Sequence, residues 1–152
     1  MGKKFEKIIF DLDGVIYRGG SIIPGAGEAI GKIRNAGINI SFLTNNASLS
    51  REGVAQKLSS LGISAKKEEI MASSYAVAHY LNSLSPKPKN VYVVGADGLK
   101  DEIKQFGINI LSGEEASKSG VDALATGLDK NFNYEKLSTA QFLLHKNILW
   151  VA

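Results

Sequence analysis

Lys7-Ile8-Ile9-Phe10-Asp11-Leu12-Asp13-Gly14-Val15 is the stretch on which the fold turns. Ile8 to Phe10 form an apolar run of strand length that stops at two aspartates, one residue apart, followed by glycine. Side chains two apart on an extended chain project to the same side, so Asp11 and Asp13 can face one reacting centre. Gly14 lets the chain turn back over that centre, because glycine takes positive φ without a Cβ clash. Paired carboxylates repel unless something positive lies between or beside them; a divalent cation or an electrophilic phosphorus meets that need. Taken alone, the pair also reads as turn aspartates, one of them capping a helix. Its position at the mouth of the first apolar strand favours chemistry.

Outward from this stretch, Tyr17-Arg18-Gly19-Gly20-Ser21 reads as a polar, glycine-containing loop, and Pro24-Gly25 punctuates a helix start. Ala26, Ala29, Ile30 and Ile33 repeat at helical spacing, and Gly37 ends that helix. Asn39 to Leu43 reads as a second buried strand, and it too ends in a polar cluster, Thr44-Asn45-Asn46-Ala47-Ser48. Ser50 is suited to cap the next helix, with Val54, Leu58 and Leu61 on one face and Gly62 closing it. A third helix carries Val77, Tyr80, Leu81 and Leu84 and stops before Pro86-Lys87-Pro88-Lys89, the candidate hinge.

Beyond the prolines the pattern restarts. Val91 to Val94 reads as a strand, Gly95-Ala96-Asp97-Gly98 as a turn, and Leu99, Ile103 and Phe106 as a helical face closed by Gly107. Ile108 to Leu111 and Val121 to Ala125 read as further strands. A helix follows from about Tyr134 to His145, with Leu137, Ala140, Leu143 and Leu144 expected inward, and Ile148 to Ala152 reads as a strand. Alternating strands and helices predict an α/β fold with mainly parallel strands, whose ligands lie beyond the carboxyl ends of the strands. Asp11, Asp13, Thr44 and Asn45 all fall there.

Composition narrows the function classes. The 152 residues are 44% hydrophobic and 22% charged, with a net charge of +3, which is the balance of a soluble globular chain. Lysines are scattered (Lys3, Lys4, Lys32, Lys57, Lys66, Lys67, Lys100, Lys104) without interleaved aromatics, so no nucleic acid is expected as a partner. The absence of cysteine excludes disulfides, thiolate metal sites and a cysteine nucleophile. No apolar run approaches a membrane span, and Met1-Gly2 does not continue into a myristoylation pattern because Glu6 stands where Ser or Thr is required. The expected setting is cytoplasmic, with no membrane partner.

Two strand ends, one with paired acids and one with a hydroxyl and amides, point to phosphoryl transfer. An aspartate can attack phosphorus, a second can pass a proton to the leaving oxygen, and hydroxyl and backbone N–H groups can hold the phosphoryl oxygens. Phe10-Asp11-Leu12-Asp13-Gly14-Val15-Ile16-Tyr17 followed by Leu43-Thr44-Asn45-Asn46 resembles the haloacid dehalogenase superfamily. The closest likeness is to the nitrophenylphosphatase and phosphoglycolate-phosphatase-like branch with a large α/β cap. The likeness continues through Pro24-Gly25-Ala26, Arg51, Lys57-Leu58, Gly62-Ile63, the segment from Val91 to Leu99, and Gly127-Leu128-Asp129 to Tyr134-Lys136-Leu137. The resemblance implies a Rossmann-like core, of which this chain holds the N-terminal part (1–85), followed by an α/β cap (86–152).

By the same resemblance the activity is a phosphatase of small phosphorylated metabolites working through an aspartyl-phosphate. Asp11 is then the nucleophile, Asp13 the acid/base, and Thr44 the phosphate-binding hydroxyl, with Asn45 and Gly14 beside the phosphate. Asp11 and the main-chain carbonyl of Asp13 are the implied magnesium ligands. Asp129 is the implied substrate-side residue of the cap. Members of the superfamily continue with a lysine, often in Gly-Lys-Pro, and a later Gly-Asp followed by another aspartate, neither of which occurs here in that context. The chain is therefore expected to be a fragment, or else a naturally short and weak enzyme or non-catalytic phosphate-binding module. By itself it is expected to be poorly soluble, to self-associate as a homo-oligomer or to pair with a chain supplying the absent strands. It is also expected to bind magnesium weakly and to hydrolyse esters at close to background.

Other signals have simpler readings. Gly25-Ala26-Gly27-Glu28-Ala29-Ile30-Gly31 imitates a dinucleotide fingerprint, but its last glycine is one place late and no strand directly precedes it. His79 and His145 stand alone on expected helices. Trp150, Tyr92 and Phe106 read as core residues, Glu114-Glu115 as a solvated turn, and Asp97 and Asp129 as turn aspartates.

Overall fold

The computed structural model describes residues 5–152, so Met1-Gly2 and the lysines Lys3 and Lys4 lie outside the described residues. The chain divides into two compact units. One holds the chain up to Asn45 together with Arg51–Met71; the other holds Asn46–Ser50 and Ala72–Ala152.

In the first unit, strand β1 (Lys7–Asp11) leads into a tight turn and a small hairpin of β2 (Tyr17–Arg18) and β3 (Ser21–Ile22). The expected polar loop after the aspartates is thus an antiparallel pair, with Tyr17 opposite Ile22 and Arg18 opposite Ser21. Helix α1 (Ala26–Asn35) starts behind Gly25, whose φ of 84° is the left-handed backbone that only glycine adopts cheaply. Strand β4 (Asn39–Thr44) follows, then α2 (Arg51–Ser60), a short 3-10 turn (Lys67–Glu69) and β5 (Ile70–Ala72). The sheet order is β1-β4-β5. β1 and β4 run parallel, with Phe10 opposite Phe42 and Asp11 opposite Leu43.

Leu12, Ile16, Ile30, Ile40, Phe42, Val54, Leu58, Ile63 and Ile70 are buried. Arg34 of α1 reaches both carboxylate oxygens of Glu69, at 2.9 and 3.0 Å, which ties helix α1 to the 3-10 turn. The two expected buried strands need one correction. β1 lies at the sheet edge, and Ile9 and Leu43 are 63% and 48% exposed. In a parallel sheet both faces are ordinarily covered. Among the described residues, nothing covers this column of β1 and β4.

The second unit opens with α3 (Ser73–Ser83), which the sequence reading places before the hinge; here it packs against α4 (Asp97–Gln105), which follows the prolines. Strands β6 (Asn90–Val94), β7 (Asn109–Leu111), β8 (Ala123–Thr126) and β9 (Leu149–Val151) form one sheet in the order β7-β6-β8-β9. All its pairings are parallel. The strand alternation sorts the core. Val91 and Val93 of β6, with Ala123 and Ala125 of β8, meet Val77, Ala78 and Leu81 of α3 and Leu99 and Ile103 of α4. Tyr92, Val94 and Leu124 face the other way, toward Ala116 of α5 (Gly113–Ser119) and Leu143 of α6 (Tyr134–Leu144). Each fully buried aliphatic side chain contributes about 1.5–3 kcal/mol, so the two faces together hold the sheet between its helices.

Several expected details differ. Glu114 and Glu115 are not a solvated turn but the first turn of α5, where Ser112 and Glu115 satisfy each other's backbone N–H groups in a capping box. Of the residues expected inward on α6, Leu143 is buried and Ala140 partly so, whereas Leu137 and Leu144 are exposed, because the helix presents Thr139 and Leu143 to the sheet. Tyr80 is exposed at the end of α3. Trp150 is 57% exposed on the edge strand β9, with its indole N–H donating to the Thr126 hydroxyl at 3.0 Å, while Tyr92 is buried as expected. Phe106 is partly buried and meets the rings of Tyr75 and His79.

Candidate active site

The pairing of β1 with β4 builds the site in the first unit. Because Asp11 lies opposite Leu43, Thr44 is the next residue at the same carboxyl edge of the sheet. Thr44 is buried and Asp11 is exposed, so a rooted hydroxyl stands on the strand next to a solvent-facing carboxylate. Asn45 follows at the edge, also exposed.

The turn after β1 is closed by its own backbone. The N–H groups of Val15, Ile16 and Tyr17 all point to the carbonyl of Leu12, and the Gly14 N–H donates to the Tyr17 carbonyl at 2.8 Å. Gly14 sits at φ 82°, which supplies the left-handed step that the turn requires. The Leu12 N–H donates to Asp11 Oδ1 at 2.8 Å and fixes that carboxylate against the backbone. Asp13 forms an isolated backbone bridge with Tyr17. Burial, then the negative charges of Asp13 and Asp11, push the Tyr17 phenol up to about 12. The same tyrosine thus senses both acids. Lys57 of α2 places Nζ 3.6 Å from the centre of the Tyr17 ring. Sequence reading quoted Tyr17 and Lys57 within the family likeness and gave neither a role at this site. No spacing rule joins residue 17 to residue 57; only the fold brings α2 over the hairpin.

Asp11, Asp13, Gly14, Thr44 and Asn45 therefore belong to one unit and one sheet edge. Asp129 belongs to the other unit, where it follows β8. The carboxyl ends of β6 and β8 are stitched by Gly127 N–H to Val94 O (2.9 Å) and Ala96 N–H to Leu128 O (3.0 Å). Asp129 is 6% exposed at its side chain and pairs with Lys136 Nζ at 2.7 Å; its other oxygen accepts the Asn131 N–H at 2.9 Å. The hydrogen bond from Lys136 holds the Asp129 carboxyl below the usual carboxylate range.

That depression sets a pH prediction. A carboxyl with a lowered folded-state pKa adds stability above its unfolded value, and the gain is lost as pH falls through the folded value. Lys136→Met is therefore expected to cost about 1.5–3 kcal/mol near neutral pH. The cost should shrink in acid, where Asp129 is protonated in either protein. Urea unfolding of the two chains across this range checks it, and a pH-independent difference would count against the ion pair.

Asp97 opens α4 and lies 3.0 Å from Lys100. The next residue, Gly98, has no room for a side chain. A Cβ there would meet the Leu49 carbonyl carbon at 2.2 Å and the Ser50 nitrogen at 2.5 Å. Leu49 is held from α3 as well, by the Ser74 hydroxyl on its carbonyl at 2.9 Å. Gly98→Ala must push backbone aside, with an expected loss of about 1–3 kcal/mol or more. A thermal unfolding midpoint unchanged from the parent would refute this close approach.

Among the described residues, no group of three or more His, Asp or Glu side chains is arranged to hold a metal ion, and no helix is long and apolar enough to cross a membrane. The donor set at the β1 end is two carboxylates and backbone carbonyls. Such hard oxygens suit a divalent cation that keeps most of its shell as water.

Comparison with known proteins bears on the family and the fold. The profile of a family described as haloacid dehalogenase-like hydrolase matches residues 8–109. A chloroplastic phosphoglycolate phosphatase of Arabidopsis thaliana is 35% identical over 157 residues, covering 93% of this chain and 43% of the relative. An acid sugar phosphatase of Staphylococcus haemolyticus is 33% identical over 150 residues, covering 99% of this chain and 55% of its own length. Among solved structures, a glycerol phosphate phosphatase from Mycobacterium tuberculosis in complex with magnesium superimposes with a TM-score of 0.83 at 30% identity, covering 96% of this chain and 42% of that one. The chain spans about half the length of the curated relatives it matches.

Proposed function

The chain belongs to the haloacid dehalogenase-like hydrolases, and on that premise we propose that it carries the nucleophilic half of a magnesium-dependent phosphatase acting on small phosphorylated metabolites. The observation that carries the reading is the parallel β1–β4 register, with Asp11, the Asp13 turn and Thr44 at one carboxyl edge. The names of the relatives, a phosphoglycolate phosphatase and an acid sugar phosphatase, support the substrate class.

In the proposed reaction an Asp11 oxygen attacks phosphorus, and the ester oxygen leaves with a proton from Asp13. Asp13 then takes a proton from water as the water attacks the aspartyl-phosphate, and orthophosphate departs with both carboxyl groups restored. The Thr44 hydroxyl, with the Asn45 backbone, holds the phosphoryl oxygens while negative charge shifts among them, and Gly14, whose N–H is taken by the Tyr17 carbonyl, shapes the turn beside them. Asp11 and the Asp13 carbonyl are suited to hold magnesium, which would offset the repulsion between carboxylate and phosphate. That the glycerol phosphate phosphatase was solved in complex with magnesium supports the choice of ion.

The second unit, with its own parallel sheet and no paired-acid strand end, is read as a cap that selects substrates. Asp129 and the Asp97-Gly98 turn, at the carboxyl edge of that sheet, are the residues proposed to act on selectivity. The test is phosphate release by the full reading frame carrying this sequence, with and without magnesium, from nitrophenyl phosphate, phosphoglycolate and sugar phosphates. Release that needs magnesium supports the reading; no release from any ester contradicts it.

A further inference from the structure

We infer that the second unit sets how tightly phosphate is held, by gripping the chain that leaves Thr44 and Asn45, and that Ser74, Gly98 and Gly127 are positioning residues for that pair. The inference rests on the phosphatase reading and deepens it, because it concerns what fixes the donors that every ester shares.

The observation is where five residues belong. Asn46–Ser50 lies in the chain between β4 and α2 of the first unit, yet it packs as part of the second. A single peptide bond joins Asn46 to Asn45. The link between the grip and the phosphate pair is therefore the chain itself.

Three elements hold the segment. From α3, the Ser74 hydroxyl, which is fully buried, donates to the Leu49 carbonyl at 2.9 Å. From α4, the bare Cα of Gly98 lies against the backbone of Leu49 and Ser50. A Cβ on Gly98 would stand 2.4 Å from Leu49 Cα and 2.5 Å from Ser50 N. After β8, Gly127 faces the buried Ala47, and a Cβ there would come within 3.2 Å of the Ala47 methyl. The segment is also braced internally, by the Ser48 N–H donating to Asn46 Oδ1 at 2.8 Å. The gripping helices are themselves rooted, since Val77, Ala78 and Leu81 of α3 and Leu99 and Ile103 of α4 share one core with β6 and β8.

Such contacts are stiff. Backbone against backbone leaves no side chain that can rotate away, and a close-packed interior transmits displacement. Ala47 is two residues from Asn45, at about 3.8 Å per Cα step. Donors that hold a reacting group must stay within about 0.5 Å of their working position. The shift of a few tenths of an ångström that a methyl on Gly127 demands of Ala47 is of that size. The grip acts on the phosphate common to all esters, and selection among esters is left to side chains such as Asp97.

The test uses the full reading frame, with inorganic phosphate as a competitor of nitrophenyl phosphate hydrolysis. Ser74→Ala is expected to raise the inhibition constant of phosphate about three- to tenfold, the fold-change of one neutral hydrogen bond. KM should rise by a similar factor for nitrophenyl and alkyl phosphates alike, with kcat changed less. Gly127→Ala should weaken phosphate in the same direction. That penalty should vanish when Ala47→Gly is already present, because the methyl it meets is gone. Leu143→Val, in the core on the other face of the sheet, should lower the unfolding midpoint and leave the phosphate constant at the parent's value. A parent-like phosphate constant in Ser74→Ala or in Gly127→Ala would overturn the inference. So would a Gly127→Ala penalty that persists beside Ala47→Gly, or an equal rise in Leu143→Val.

A second measurement does not depend on turnover. Amide hydrogen exchange from Ala47 to Ser50 should quicken in Ser74→Ala about three- to tenfold, again the fold-change of one hydrogen bond, while exchange within α2 stays at the parent's rate. Unchanged exchange in the segment would overturn the inference even in an active enzyme. A parent protein that hydrolyses no ester contradicts the phosphatase reading instead, while the exchange still reports whether Ser74 holds the segment.

Discussion

Replacing Asp11 with asparagine is expected to abolish phosphate release while leaving the thermal unfolding midpoint and circular dichroism of the protein unchanged. The amide is nearly isosteric with the carboxylate and can still accept the Leu12 N–H that fixes the native side chain at 2.8 Å. It is a poor nucleophile, however, and a carboxamide cannot form the acyl phosphate. Asp11 ends a strand with an exposed column and supports no buried network, so the fold has no stake in its charge. Near-normal hydrolysis of nitrophenyl phosphate by this variant would remove the proposed nucleophile.

Asp13→Asn is expected to reduce turnover by roughly 10²–10⁴-fold, the range typical of a positioned general acid–base group. The split between kinetic constants should be diagnostic. With nitrophenyl phosphate the departing group needs little protonation, so formation of the phosphorylated enzyme survives and its hydrolysis becomes slow. The signature is a low kcat, a lowered KM and a burst of nitrophenol in the first turnover. With an alkyl phosphate both halves need the proton, and no burst should appear. A variant that lost both substrates equally, with no burst on either, would mean that Asp13 acts on phosphate binding and not on proton transfer.

Much of this was legible in the residue pattern, for identifiable reasons. Ile8 to Asp11 and Asn39 to Thr44 are short apolar runs that end in polar side chains, and a parallel sheet converts such endings into a shared edge. Val91 to Val94 is read correctly as a strand, and the run expected from Val121 to Ala125 forms one from Ala123 to Thr126, because small and β-branched residues there are buried on both faces. The glycines after α1, α2 and α4 mark helix ends at Gly37, Gly62 and Gly107, all at positive φ.

What escaped the pattern depended on neighbours distant in sequence. The exposure of Ile9, Leu137 and Trp150 follows from sheet order and from which helix face meets a strand, and periodicity carries neither. Helix α5 was missed although its Ser112-to-Glu115 capping box is a local signal that could have found it. The Tyr17–Lys57 contact spans most of the first unit and has no local signal at all. Asp129 stood out as a residue after a strand-end glycine, but its pairing with Lys136 appears only when α6 folds back beside β8.

The central claim is that Asp11 becomes phosphorylated. The most direct measurement is to mix the full reading frame carrying Asp13→Asn with nitrophenyl phosphate labelled in its phosphoryl group, quench in acid during the burst, and map the label by peptide mass. The label should sit on the peptide containing Asp11, be released by hydroxylamine as an acyl phosphate is, and be absent when Asp11→Asn is added. Protein that stays unlabelled through a measurable nitrophenol burst, or label found on another residue, would contradict it.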